Sequence, residues 1–264
     1  MPFQSEITKT WAFVFKNWIM TKRNVFTLFE VLFWPVVSFL SVGLLAQFAS
    51  LSLEMKAFML VGVVAMSAMQ VCQLDVAYGL LYDVWSRALK HSFIAPVGIR
   101  HLLCGSLLIG MVRGGTVFLL LMAASQVLFG FDFTAPGPLA LGLFVLGLFL
   151  SGAIVGLLVC ILVLTLGTRA EVAAWSLVSL ILLVCGIYYP VTILPQAVMI
   201  VAQAIPVTYF LEYFRQFYGF EPVFSQVLVK GYALTGAYLA LEVGLMKLAL
   251  ARAKKKGILL RLSE

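Results

Sequence analysis

Few residues in this chain are of a type and spacing to do chemistry. His91 and His101 stand ten apart on either side of Pro96, a spacing that matches no metal motif. Cys72, Cys104, Cys160 and Cys185 each lie inside an apolar run without paired spacing, and they read as small buried hydrophobes. No HExxH, GxSxG or paired-aspartate signature occurs, and there is no GxxxxGK followed by Ser or Thr with which the chain could hold ATP. Neither catalysis nor a cofactor bound by this chain is expected. For an intramembrane enzyme the best candidates would be Asp75, Asp83 and His91, and these read more simply as interfacial polar residues. What remains is a set of charges embedded in apolar sequence: Glu30, Asp75, Arg113 and Glu242. Such charges are costly in a bilayer and face a bundle interior or an aqueous path. Arg113 lies about ten residues into its apolar segment, hence about 15 Å deep at 1.5 Å per residue. It needs water or a carboxylate within reach. Asp75 is the first choice of partner, because its segment and that of Arg113 are joined by a short connection and should run antiparallel side by side. Glu30 is the other choice, and a cargo-facing role for Arg113 is the alternative.

The elements that must position these residues follow from composition. Charged residues make up 11% of 264 positions and apolar ones 63%, against about 25% charged in a soluble domain. The chain is therefore read as an all-α integral membrane protein. The start lacks the charged region, short apolar core and small-residue cleavage site of a removable signal peptide. Residues 3 to 19 place Phe3, Ile7, Trp11, Val14, Phe15, Trp18 and Ile19 at helical spacing against Glu6, Lys9, Lys16 and Asn17, which predicts an amphipathic helix at the headgroup boundary over 1–23. Six spans are expected, roughly at 24–50, 57–81, 101–129, 138–166, 171–189 and 224–250.

Between the last two spans, Pro190, Pro195, Pro206 and Pro222 interrupt an apolar stretch too often for one crossing helix. Prolines at the first turns of two short helices, roughly 193–204 and 206–218, predict a hairpin over 190–222 that dips in and returns. Charge bias supports this. With a cytoplasmic N-terminus most of the eighteen basic residues fall on the cytoplasmic side, whereas a full crossing at 190–222 would put Lys254, Lys255 and Lys256 outside. The net charge of +7 is accordingly a topology signal and not a nucleic-acid footprint. Gly147, Ser151, Gly152 and Gly156 form small-xxx-small pairs in the fourth span, read as packing within the chain first. Residues 82–97 carry Trp85, Ala88, Leu89, Ser92 and Phe93 at helical spacing against Asp83, Arg87, Lys90 and His91, which predicts a short cytoplasmic helix ending before Pro96.

The order of these elements, with Gly186, Tyr189, Pro190, Leu194, Pro195, Pro206, Tyr209 and Arg215 before the last span, resembles the permease subunits of ABC exporters of the second type. The likeness covers nearly the whole chain as a single permease domain: spans at 24–81 and 98–189, the outer hairpin at 190–222, the last span at 223–250 and a basic tail at 251–264. It implies that 82–97 is a coupling helix, with Asp83, Trp85, Arg87, Leu89, Ser92 and Pro96 contacting a separate ATPase. Many members carry Gly-Thr where this chain has Ser86 and Arg87. It further implies a dimer of permeases in the cell inner (cytoplasmic) membrane, both termini cytoplasmic, with ATP and magnesium held by the partner ATPase subunits. The cargo implied is amphipathic or lipid-linked. Tyr188, Tyr189, Pro190, Tyr209, Phe210 and Phe214 are the expected outer gate or cargo path, with an aromatic belt at the membrane interface as the equal alternative. The competing reading is an ion-coupled secondary transporter or channel, with Glu30, Asp75 and Arg113 carrying the coupling, although only one broken region is visible where such transporters usually show two.

Overall fold

The computed structural model describes residues 2–23, 25–88 and 97–255, apart from the side chains of residues 2–4, 25–28, 30 and 168. Among the described residues all regular structure is helical: α1 (Pro2–Arg23), α2 (Val25–Phe48), α3 (Leu53–Trp85), α4 (Ile99–Phe129), α5 (Pro138–Leu166), α6 (Ala173–Val184), α7 (Gln196–Gln203), α8 (Pro206–Arg215) and α9 (Val227–Lys255). Five of them, α2, α3, α4, α5 and α9, are long and apolar enough to cross a membrane, and the bent pair α7–α8 makes a sixth if it is one span. The chain is an all-helical, multi-pass membrane protein.

The expected fifth span, 171–189, is shorter than its apolar run. A 3-10 turn at Thr168–Val172 leads into the 12 residues of α6, and a left-handed Gly186 turns the chain away shortly after. The 12 residues of α6 rise about 18 Å, well short of the hydrocarbon core, and the turn before them carries Arg169 and Glu171, so the expected fifth span is not a helix long enough to cross. Other boundaries fall where local chemistry puts them. Ser52 accepts the Met55 N–H at 3.3 Å to cap α3, Gly130 at φ 68 ends α4, and Pro138 and Pro206 open α5 and α8.

The 33-residue α3 is the axis of the molecule: 83% of its apolar window is buried, against 22% for α2 and 22% for α9. Its neighbours approach closely because they present glycine. Gly110 and Gly114 of α4 lie on the backbone of Cys72 and Ala68, and Gly152 and Gly156 of α5 on Met69 and Gln73. A Cβ at Gly156 would stand 2.8 Å from the Gln73 carbonyl oxygen, so the small-residue pattern serves contact within the chain.

The α7–α8 pair bends by 92°. Arg215, at the end of α8, donates from Nη1 to the Gly186 carbonyl and from Nη2 to the Ile187 carbonyl, both at 2.7 Å. The segment thus ends where it began. Its turn reaches about 17 Å down α9, where the Tyr238 hydroxyl donates to the Ala204 carbonyl at 2.9 Å. Phe214 stacks on Phe144 with ring centroids 4.2 Å apart, which seats α8 inside the bundle.

Helix α1 lies on α4 with an unexpected face. Phe13, Val14, Asn17 and Thr21 are buried, and Asn17 donates to Ser106 Oγ at 3.0 Å. Ile7, Trp11, Phe15 and Trp18 are left exposed. The mixed stripe therefore packs on protein and most of the apolar stripe faces outward, as a helix at a lipid boundary requires.

Candidate functional site

Helical spacing on α3 lines up Ser67, Gln70, Val71, Leu74, Asp75 and Tyr78 along one face. They border a cavity of ≈ 150 Å³, closed by Val31, Trp34 and Pro35 of α2, Trp175 of α6 and Arg113 of α4. Arg113 donates to Asp75, so the pair expected from the sequence forms. Both side chains are buried, at 9% and 6% exposure. Thr21 Oγ1 of α1 lies 3.5 Å from Arg113 Nη1. Asp75 Oδ2 and Arg113 Nε have no protein hydrogen-bond partner. A space of this size, with a neutralised ion pair, an amide, a hydroxyl and three aromatic rings on its wall, can hold a few waters or one small polar group deep in the bundle. Glu30 belongs to α2, and its side chain is among those not described.

The end of the bundle that carries α1 departs from expectation. Asp83 and Trp85 are not on a separate helix but in the last turns of α3, which continues through the expected start of the short helix at 82. Asp83 is 2% exposed and forms an ion pair with Lys16 of α1, so it holds α1 against α3 and does not face a partner. Trp85 donates from Nε1 to Glu171 Oε2 at 2.8 Å, tying α3 to the turn before α6. Arg87 follows in a left-handed conformation, φ 56, with its side chain exposed. Leu89, His91, Ser92 and Pro96 lie outside the described residues.

At the opposite end the aromatic set divides. Phe210 and Phe214 have 0% exposure and belong to the core, so neither lines a gate. Phe210 packs on Gly147 and Gly231. Tyr209 is buried with its hydroxyl donating to the Gln203 carbonyl at 2.9 Å. Tyr189 donates to the Leu183 carbonyl. Tyr188 is half-buried and Pro190 exposed, and these two with Tyr189 are what remains of the expected mouth. The sequence pattern missed why: α8 is amphipathic toward a protein core, and the clustering of aromatics on it with Glu212 and Arg215 could have pointed that way. Cys104 is exposed, contrary to the reading of four buried cysteines, whereas Cys72, Cys160 and Cys185 are buried.

Two further polar features were not foreseen, and a third, Glu242, was expected as an embedded charge. Glu6 binds Lys9 at 2.8 Å, His101 Nε2 at 2.9 Å and Arg100, pinning α1 to the start of α4. Hydrogen bonds from Lys9 and His101 hold the Glu6 carboxyl well below its usual range, at about 2. His101 also accepts the Gly98 N–H at Nδ1, 2.8 Å, which makes it the cap of α4 and leaves Nε2 to donate to Glu6. Glu212 accepts the Val223 N–H at 2.7 Å and so ties α8 to the strap before α9. Glu242, at 5% exposure in α9, has no ion-pair partner among the described residues. No group of three or more metal-ligating side chains occurs among the described residues.

No family profile matches this chain. It is similar to an uncharacterised protein of the archaeon Archaeoglobus fulgidus, with 43% identity over 51 residues, or 19% of this chain and 80% of that protein. The chain belongs to that protein's family. The kinship brings no activity with it, and it leaves most of the bundle without a counterpart.

Proposed function

We propose that this chain is the permease subunit of an ATP-driven exporter of the second ABC type, moving an amphipathic or lipid-linked cargo across the cytoplasmic membrane. The observation that carries the reading is the α7–α8 hairpin, whose two ends are joined through Arg215 at one end of the bundle. Together with the interface helix α1, it is consistent with two of the elements on which the resemblance rests. Re-entrant backbone is tolerated where protein covers it, and here α8 is buried while α7 is largely exposed. In this reading both termini are cytoplasmic, the hairpin is on the outer face, and ATP and magnesium sit on separate ATPase subunits. Those subunits dock on the rim that carries Trp85 and Arg87. A second permease copy sits against the exposed apolar faces of α2 and α6, which include Phe33, Trp34, Leu180 and Leu183, and encloses the Arg113–Asp75 cavity on the dimer axis.

The test is reconstitution. The chain purified with its ATPase should export cargo from proteoliposomes only with ATP, and Arg87→Glu should uncouple ATP hydrolysis from export without loss of insertion. An ion-coupled transporter is the second reading, favoured by the buried Asp75–Arg113 pair and by Glu242. Transport driven by an ion gradient in the absence of any ATPase would establish that reading and overturn the first.

A further inference from the structure

Helix α4 packs on α3 and α5, and α9 packs on α5 and α8, but α4 and α9 stand apart from each other, and the gap between them is a groove of ≈ 270 Å³. Its floor is Val76, Ala153, Leu157 and Met246, all buried, and its walls are aliphatic residues of α4 and α9. Arg100 and Lys247 are its two charged lining residues. We propose that this groove binds one anionic phospholipid of the leaflet on which α1 lies, with an acyl chain along the aliphatic walls and the phosphate between Arg100 and Lys247.

Depth fits this occupant. Arg100 is bonded to Glu6 of α1, whose exposed Trp11 and Trp18 mark the headgroup boundary. Lys247 stands 20 residues after Val227, the first residue of α9, a rise of about 30 Å that matches the hydrocarbon thickness. Both cations are therefore at headgroup level, and the apolar walls run below them. Charge fits as well. Lys247 is exposed and has no ion pair among the described residues, and Arg100 is 74% exposed, with Nη2 engaged by Glu6 and the rest of its fork open. Lys9 is in the same cluster, so cations outnumber the one Glu6 carboxylate. Two cations over an apolar slot complement an anionic diacyl lipid, and each adds about fivefold in affinity for it at a membrane surface. A second protein chain would have to insert a helix at this depth and bring its own acid to Lys247. A lipid needs neither.

The full chain in detergent, titrated with phosphatidylglycerol or phosphatidylcholine of the same acyl chains, tests this by native mass spectrometry. Phosphatidylglycerol should be retained more than tenfold more tightly. Lys247→Gln, a change at an exposed residue that leaves the fold intact, should cut that preference about fivefold, and Lys247→Arg should restore it. Cys104, exposed and on the groove wall, places the lipid: N-ethylmaleimide should react there more slowly with phosphatidylglycerol than with phosphatidylcholine. Leu239→Trp, which fills the groove, should abolish retention of both lipids. Equal retention of the two lipids, an unchanged preference in Lys247→Gln, or Cys104 alkylation indifferent to lipid would each overturn the proposal. So would a cross-link between Cys104 residues of two copies in native membranes, which would give the groove to a second chain.

Discussion

Arg113 and Arg215 are both buried in the bundle, at 9% and 2% exposure, and the chain satisfies them in different ways. Arg113 meets a carboxylate, Asp75, on the wall of a cavity. Arg215 forms no ion pair with a carboxylate among the described residues: its Nη atoms donate to the carbonyls of Gly186, Ile187 and Phe58, and its guanidinium lies over the Phe58 ring at 3.4 Å from the centroid. Backbone carbonyls cannot swing away or take a proton, whereas a side-chain partner can do both. Arg215 is thus a fixed tie that holds the end of the bent α7–α8 pair onto α3 and the turn after α6. Arg113 is part of a site whose pairing can be remade by water, a proton or a ligand.

The largest effect that would break this contrast is at Arg215. Replacing it with leucine leaves the buried turn carbonyls of Gly186 and Ile187 without this donor, and the loss should be about 4 kcal/mol in thermal or denaturant unfolding of the purified protein. Arg215→Lys should recover only a part, because an ammonium cannot reproduce the planar fork. An Arg215→Leu protein as stable as the parent would show that the hairpin is held by packing alone.

At Arg113 the effect should be smaller and coupled. Asp75→Asn and Arg113→Gln should each cost about 3 kcal/mol, as expected when one partner of a buried pair is removed, and the double variant should cost less than their sum. Strictly additive losses would exclude direct pairing. Stable single variants that no longer transport would instead assign Arg113 to the cargo.

How much of this was legible in the sequence depends on the range of the interaction. Pro195 and Pro206 located both short helices of the bent pair within a few residues, because proline acts on its own turn. Asp75 and Arg113 could be paired from depth alone, since two antiparallel segments joined by a short connection fix relative height. Lys16 with Asp83, Trp85 with Glu171 and Glu6 with Arg100 join elements distant in sequence, and no local spacing records them. Asp83 was misplaced for the same reason: a charge beside a polar connection looks exposed until α1 is laid over it. Phe210 and Phe214 were misread as a mouth because an aromatic belt and an aromatic core have the same composition.

The smallest effect expected is at the surface helix. The Glu6 carboxyl, held at about 2 in the fold against an ordinary value of 4.5, favours the docked α1 fully at any pH above that ordinary value. This contribution should shrink as pH falls below 4.5 and be gone below about 2. Trp11 and Trp18 fluorescence should follow undocking over that window, and Glu6→Gln should remove the acid dependence. Undocking between pH 7 and pH 5 would place the controlling group elsewhere.

The functional reading stands on the claim that the α7–α8 segment leaves and rejoins one face of the membrane. With Cys104 replaced by serine, cysteines introduced singly as Gln196→Cys and Gln216→Cys should both react with an impermeant thiol reagent added outside intact cells. Reaction of Gln216→Cys only from the cytoplasmic side would make the bent pair a full crossing, reverse the side on which α9 ends, and contradict the account.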